Sequence, residues 1–127
     1  MNHPQCVLIA EDDRVMRTAS ALALRRHGLT VLLAEDGAEA LAAARAERPD
    51  LILLDLLMPK VSGIDVLRAL KSDAATRDIR VVILSNSSRD LERQDATTLG
   101  ALDYLIKSDL KLRELVERVD GFLRTPP

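Results

Sequence analysis

Asp55 closes an apolar run, Leu51-Ile52-Leu53-Leu54, and stands just before a segment with Pro59 and Gly63. A carboxylate at the tip of a buried strand does not serve packing; it needs a cation, a hydrogen-bond donor or a chemical task. Glu11 and Asp12 end an earlier apolar run in the same way, Ser85 follows another, and Lys107 ends the last. Two like charges about 4 Å apart repel by about 4 kcal/mol at an effective dielectric of about 20. Three carboxylates brought together therefore need a cation, or one of them must hold a proton. Hard oxygen ligands favour Mg2+ or Mn2+ over zinc, and the chain has no cysteine–histidine cluster to argue otherwise. Mg2+ takes one or two carboxylates together with a phosphoryl oxygen. Lys107 suits an anion arriving at Asp55, and the Ser85 hydroxyl suits another oxygen of that anion. These residue types describe a place to receive a phosphoryl group.

The elements that must position them are legible as five apolar runs, at 7–10, 31–34, 51–54, 81–84 and 102–106. Nearly uninterrupted apolar runs mark strands buried on both faces, as in parallel sheets. Helical stretches lie between and after them, at 14–27, 38–47, 64–71, 90–99 and 110–123. The first places Val15, Met16, Ala19, Leu22 and Ala23 on one stripe, and the last places Leu112, Leu115, Val116, Val119 and Leu123 on one face. The fourth is thinly anchored, with only Leu91, Ala96 and Leu99 as apolar residues. Strand and helix alternating five times predict right-handed βαβ units and an α/β three-layer sandwich. In such sheets ligands sit beyond the carboxyl ends of the strands, where the strand order reverses. If the order is 2-1-3-4-5, the first and third strands are neighbours and the acids converge.

A chain of 127 residues fits one domain, expected to span 1–127 with a core at about 6–123 and no output domain. It either works alone or belongs to a longer protein. The net charge of −2 gives no electrostatic argument for nucleic acid or an anionic membrane. The single cysteine, Cys6, has no internal partner and is read as a small buried hydrophobe. No apolar stretch nears the roughly 20 residues that span a bilayer, and Met1-Asn2-His3-Pro4 is not a signal peptide, so the expected compartment is the cytoplasm.

With these pieces in order, the sequence resembles a response-regulator receiver domain of two-component signalling. The resemblance rests on Val7-Leu8-Ile9-Ala10-Glu11-Asp12-Asp13, on Asp55-Leu56-Leu57-Met58-Pro59 with Gly63, on Val81-Val82-Ile83-Leu84-Ser85, and on Gly100 to Lys107. It implies a flavodoxin-like (βα)5 fold with a parallel five-stranded sheet in the order 2-1-3-4-5. It implies Asp55 as phosphoacceptor, Asp12 as direct metal ligand, Glu11 as its partner acting mostly through water, and the Leu57 backbone carbonyl as a further ligand. It also implies Ser85 and Lys107 as phosphoryl-binding groups, Ser85 and Tyr104 as the switch pair, and Leu57 and Ser87 as positions that tune dephosphorylation. Asp13 falls just past the metal pair and is read as a surface or helix-start residue. The implied cofactor is Mg2+, with Mn2+ as a substitute. The implied partners are a histidine kinase or histidine phosphotransfer protein and a downstream protein target, with no nucleic acid bound through this domain and no membrane. The oligomeric state implied is a monomer or a phosphorylation-dependent dimer. The output face is expected on the fourth helix, fifth strand and fifth helix.

Two positions depart from the family pattern. Ser108 follows Lys107 where the family usually has proline, often after a cis bond; a cis bond without proline costs about 3 kcal/mol, so the expectation is a trans peptide, or a strained cis one retained by the fold. Asn86 follows Ser85 where a small residue is usual, and its amide either reaches the phosphoryl group or blocks it. The arginines of the helices are read as a solvated face, with Arg14, Arg17 and Val15 as a weaker candidate docking patch for the kinase. The competing function is a receiver-like protein-interaction module that is not phosphorylated. An aspartyl-phosphate phosphatase usually carries another acid two residues past its nucleophile; Leu57 stands there, so no enzyme is expected beyond self-phosphorylation and slow autodephosphorylation.

Overall fold

The computed structural model describes residues 4–86 and 89–124. Five strands run β1 (Cys6–Ala10), β2 (Thr30–Ala34), β3 (Leu51–Asp55), β4 (Arg80–Ser85) and β5 (Asp103–Ile106). Five helices alternate with them: α1 (Arg14–Arg26), α2 (Gly37–Glu47), α3 (Gly63–Ser72), α4 (Asp90–Thr98) and α5 (Leu112–Arg124). All strand pairs are parallel and the sheet order is β2-β1-β3-β4-β5.

The period of two along each strand separates the core into two layers. Leu8, Ala10, Ile52, Leu54, Val81, Ile83 and Tyr104 face one way and pack with α2, α3 and Ala96 of α4. Val7, Ile9, Leu51, Leu53, Val82, Leu84 and Leu105 face the other way, against Ala21 and Leu24 of α1 and Leu115, Val119 and Leu123 of α5. With both faces covered, β1 and β3 need apolar residues at nearly every position, which is why they read as unbroken runs.

Three helical expectations shift. The buried face of α1 is Arg17, Ser20, Ala21 and Leu24, while Val15 is 78% and Leu22 48% exposed. Leu91 is exposed, leaving Ala96 and the half-buried Leu99 to hold α4 to the core. The stretch before α5 forms a 3-10 turn at Lys107–Asp109, closed by the Leu110 N–H donating to the Lys107 carbonyl at 3.2 Å; the helix therefore starts at Leu112, and Leu112 itself is exposed. Cys6 is half-buried rather than buried. Among the described residues, no helix is long and apolar enough to cross a membrane.

Candidate phosphoryl and cation site

Register alone brings the acids together. Ala10 pairs with Leu54, so the next residues, Glu11 and Asp55, leave the sheet side by side. Oxygens of Glu11, Asp12 and Asp55 lie within 4.8 Å of one another. Ser85 pairs with Ile106, which delivers Lys107 to the same rim. Lys107 Nζ lies 2.5 Å from Glu11 Oε1 and 3.1 Å from Asp55 Oδ2. Glu11 and Asp55 are buried, whereas Asp12 is exposed. Together with Asp13, Leu57 and Asn86, these residues line a cleft of about 320 Å3.

The charges in the cleft do not balance. One ammonium faces three carboxylates. Burial pushes the Asp55 carboxyl up from 3.8 to about 7, and contact with Glu11 pushes the same way; Lys107 and the Leu57 N–H, which donates to Asp55 Oδ1 at 3.1 Å, pull it down. Burial draws Lys107 down, but Glu11 and Asp55 outweigh it and hold its ammonium above the ordinary lysine value. Glu11 Oε1 is buried and, although it touches Lys107, has no partner with hydrogen-bond geometry. A cluster of hard oxygen donors with surplus negative charge and one poorly satisfied buried oxygen fits a divalent cation such as Mg2+ or Mn2+.

The surrounding chain is shaped to hold these groups. Asp13 starts α1: its Oδ1 accepts from the N–H groups of Val15 and Met16 at 2.9 and 3.3 Å, and its own N–H donates to Glu11 Oε2 at 3.2 Å. Gly63 donates to the Leu56 carbonyl at 2.9 Å, and a Cβ there would sit 2.3 Å from the Asp55 carbonyl oxygen. The turn after β3 can therefore fold back under Asp55 only with glycine. Lys60 in the same loop adopts a left-handed backbone, φ 71°, and its ammonium reaches Asp36 at 3.1 Å.

Asp55, Glu11, Asp12 and Lys107 meet as expected, and Asp13 is the helix-start residue. Leu57 lines the cleft with its side chain 73% exposed. Ser85 is buried at the end of β4, and Asn86 borders the cleft. Tyr104 is buried, with the Arg93 guanidinium 5.3 Å from its ring centroid. No peptide bond among the described residues is cis, and the Lys107–Ser108 bond is trans. Ser87 lies outside the described residues.

Arg17 corrects the reading of the α1 arginines as solvated. It is buried, and its Nη1 donates to the carbonyls of Glu11 and Asp12 at 2.8 and 3.2 Å while Nη2 pairs with Glu35 at 3.1 Å. Its charge hid its burial; the only signal was its place one helical turn after the acids.

Comparison with known proteins gives one answer. The profile of the response regulator receiver domain matches residues 7–120. The DNA-binding response regulator MtrA of Mycolicibacterium paratuberculosis is 37% identical over 120 residues, covering 94% of this chain and 52% of MtrA. The chain spans about half the length of the curated relatives it matches. The phosphorylated cyanobacterial phytochrome response regulator RcpA superposes with a TM-score of 0.82 at 34% identity, over 94% of this chain and 91% of that one. The Mn2+-bound form of response regulator Rcp1 superposes at 0.82 with 28% identity, over 98% of each chain.

Proposed function

The chain belongs to the response regulator receiver domain family, and from that premise we propose that Asp55 accepts a phosphoryl group from the phosphohistidine of a kinase or phosphotransfer protein. The observation that carries this reading is the convergence of three carboxylates within 4.8 Å, two of them touching Lys107. Glu11, Asp12, Asp55 and the Leu57 carbonyl would hold a divalent ion, Mg2+ by its cellular role with phosphates and Mn2+ as a substitute. When bound, that ion supplies positive charge beside the oxygens of the transferring group.

The chain's own groups supply position and field. The Leu57 N–H holds Asp55 Oδ1, and Lys107 faces Oδ2. An Asp55 oxygen forms the new P–O bond as the P–N bond of the donor breaks, and the electron pair leaves with the imidazole. Lys107 offsets charge on the phosphoryl oxygens. The product is an acyl phosphate whose hydrolysis restores the carboxylate. Ser85 takes a phosphoryl oxygen by turning from its buried place, and the output passes through Tyr104 and the α4–β5–α5 face to a protein target. The exposed Leu57 side chain, with Ser87, sets how readily water reaches the acyl phosphate. The site works in the cytoplasm, where histidine kinases present their phosphohistidine.

Acetyl phosphate with Mg2+ should add one phosphoryl group to the wild-type chain, read by intact mass, and none to Asp55→Asn. Labelling that persists in Asp55→Asn would remove the acceptor assignment. A wild-type chain that takes no label would favour the unphosphorylated interaction module instead.

A further inference from the structure

Arg17 has no part in the transfer just described, yet it is a buried arginine directly behind the acids. We propose that Arg17, aligned by Glu35, is a positioning residue for the divalent ion: it fixes the backbone of Glu11 and Asp12 so that their carboxylates converge. The proposal rests on the cation reading above.

The argument begins with the backbone. The Glu11 N–H donates to the Ala34 carbonyl at 3.0 Å, the last sheet bond on this side of β1. The helix begins only at Arg14, after the Asp13 cap. The carbonyls of Glu11 and Asp12 therefore fall between two regular elements, where backbone acceptors need another partner. Arg17 Nη1 supplies both bonds, at 2.8 and 3.2 Å. These are the main-chain groups of the two acids whose side chains would hold the ion.

The second nitrogen sets the plane. Arg17 Nη2 lies 3.1 Å from Glu35, whose side chain is 66% exposed against 10% for Arg17. A rigid planar fork uses both ends at once, which a lysine ammonium on a flexible stem cannot reproduce. Glu35 is itself well placed, because the next residue, Asp36, caps α2 through the Glu39 N–H at 2.9 Å and pairs with Lys60 of the β3–α3 loop at 3.1 Å. Gly37 seats that corner against the same loop: a Cβ there would lie 2.4 Å from the Val61 carbonyl oxygen. The β2–α2 corner thus touches the β3–α3 loop directly and reaches the Glu11–Asp12 backbone through Arg17, while contributing no candidate ligand.

Groups that orient metal ligands from behind typically change metal affinity by about 10- to 100-fold when removed. Mn2+ titration, followed by the signal of free Mn2+, tests this on wild type, Arg17→Met, Arg17→Lys and Glu35→Gln. Arg17→Met should bind Mn2+ at least about 10-fold more weakly, Arg17→Lys should recover part of the loss, and Glu35→Gln should lose about 3-fold. Amide hydrogen exchange without metal should quicken at Asp12 and Asp13 in the same order. Unchanged Mn2+ affinity in Glu35→Gln and in whichever Arg17 variants fold would overturn the proposal. So would a loss of affinity that follows the urea midpoint with no local change in exchange. A wild-type chain that binds no Mn2+ would overturn the cation reading and this inference together; normal wild-type binding with unaffected variants overturns the inference alone.

Discussion

Two partly buried lysines stand at opposite rims of the sheet. Lys71, on the last turn of α3, donates to the carbonyls of Arg77 and Ile79 at 2.9 and 2.8 Å, beside the start of β4. Lys107, past the end of β5, faces the carboxylates of Glu11 and Asp55. Burial lowers Lys71 with only a small opposing effect from Asp78, whereas the two acids hold Lys107 above its ordinary value. Similar burial leads to opposite outcomes because neutral dipoles face one ammonium and charges face the other. At the Lys71 rim the ammonium satisfies carbonyls just before the start of β4. At the Lys107 rim it only partly balances the acids, so a further cation has something to bind. The lesson is that burial of a charged group does not mark a site; the imbalance of charge around it does.

The largest expected effect separates the two lysines. Lys107→Met should slow acetyl phosphate labelling by about 100-fold or more, the scale on which charge-stabilising donors act. Lys71→Met should leave labelling within about 2-fold and cost about 1–2 kcal/mol of stability, measured by urea unfolding, because two carbonyls lose their donor. Equal loss of labelling in both variants would break the comparison.

Glycines sharpen it at a smaller scale. Gly63→Ala drives a Cβ into backbone beneath Asp55, and should cost about 2 kcal/mol while also weakening Mg2+ binding. Gly100, at φ 104° by the opposite rim, would place its Cβ in ordinary contact with the flexible Lys71 stem. Gly100→Ala should cost about 1 kcal/mol through its left-handed backbone alone, with Mg2+ affinity unchanged by calorimetry. A Gly100→Ala protein with weakened Mg2+ binding would show that the rims are coupled.

A pH slope tests the acidic rim by itself. Without metal, folded Asp55 keeps its proton to about 7, against an ordinary value of 3.8. The folded state then binds the proton more tightly than the unfolded chain. Its stabilising contribution is complete below the unfolded value and is lost as pH rises to about 7. Urea midpoints should therefore fall across that window in wild type, and this component should vanish in Asp55→Asn and under saturating Mg2+. A slope retained in Asp55→Asn would place the proton elsewhere.

The strands and the acidic cluster were legible because their residue types leave few alternatives. Four apolar residues followed by a carboxylate cannot be repacked as surface, and the period of the runs carried the sheet. The orientation of α1 was not legible. Val15, Met16, Ala19, Leu22 and Ala23 form the more apolar stripe, yet Arg17, Ser20, Ala21 and Leu24 face inward. Both sets have helical spacing. Small residues at positions 20 and 21 let the helix approach the sheet, and the buried Arg17 bonds turn it; hydrophobicity cannot register either. The start of α5 was missed because the chain first forms the Lys107–Asp109 turn, where no apolar period operates. The Arg93 guanidinium over the Tyr104 ring is a contact between α4 and β5 that no local pattern encodes.

The ion pair between Lys107 and Glu11 joins the tip of the first strand to the tip of the last. During synthesis, the acidic tips of β1 and β3 leave the ribosome well before β5 does. Until β5 docks on β4, Glu11 and Asp55 confront each other without their internal counter-ion. An unfinished domain is thus penalised at the same spot proposed above to receive phosphate, and the full set of charges at that spot arrives with completion of the sheet rather than ahead of it.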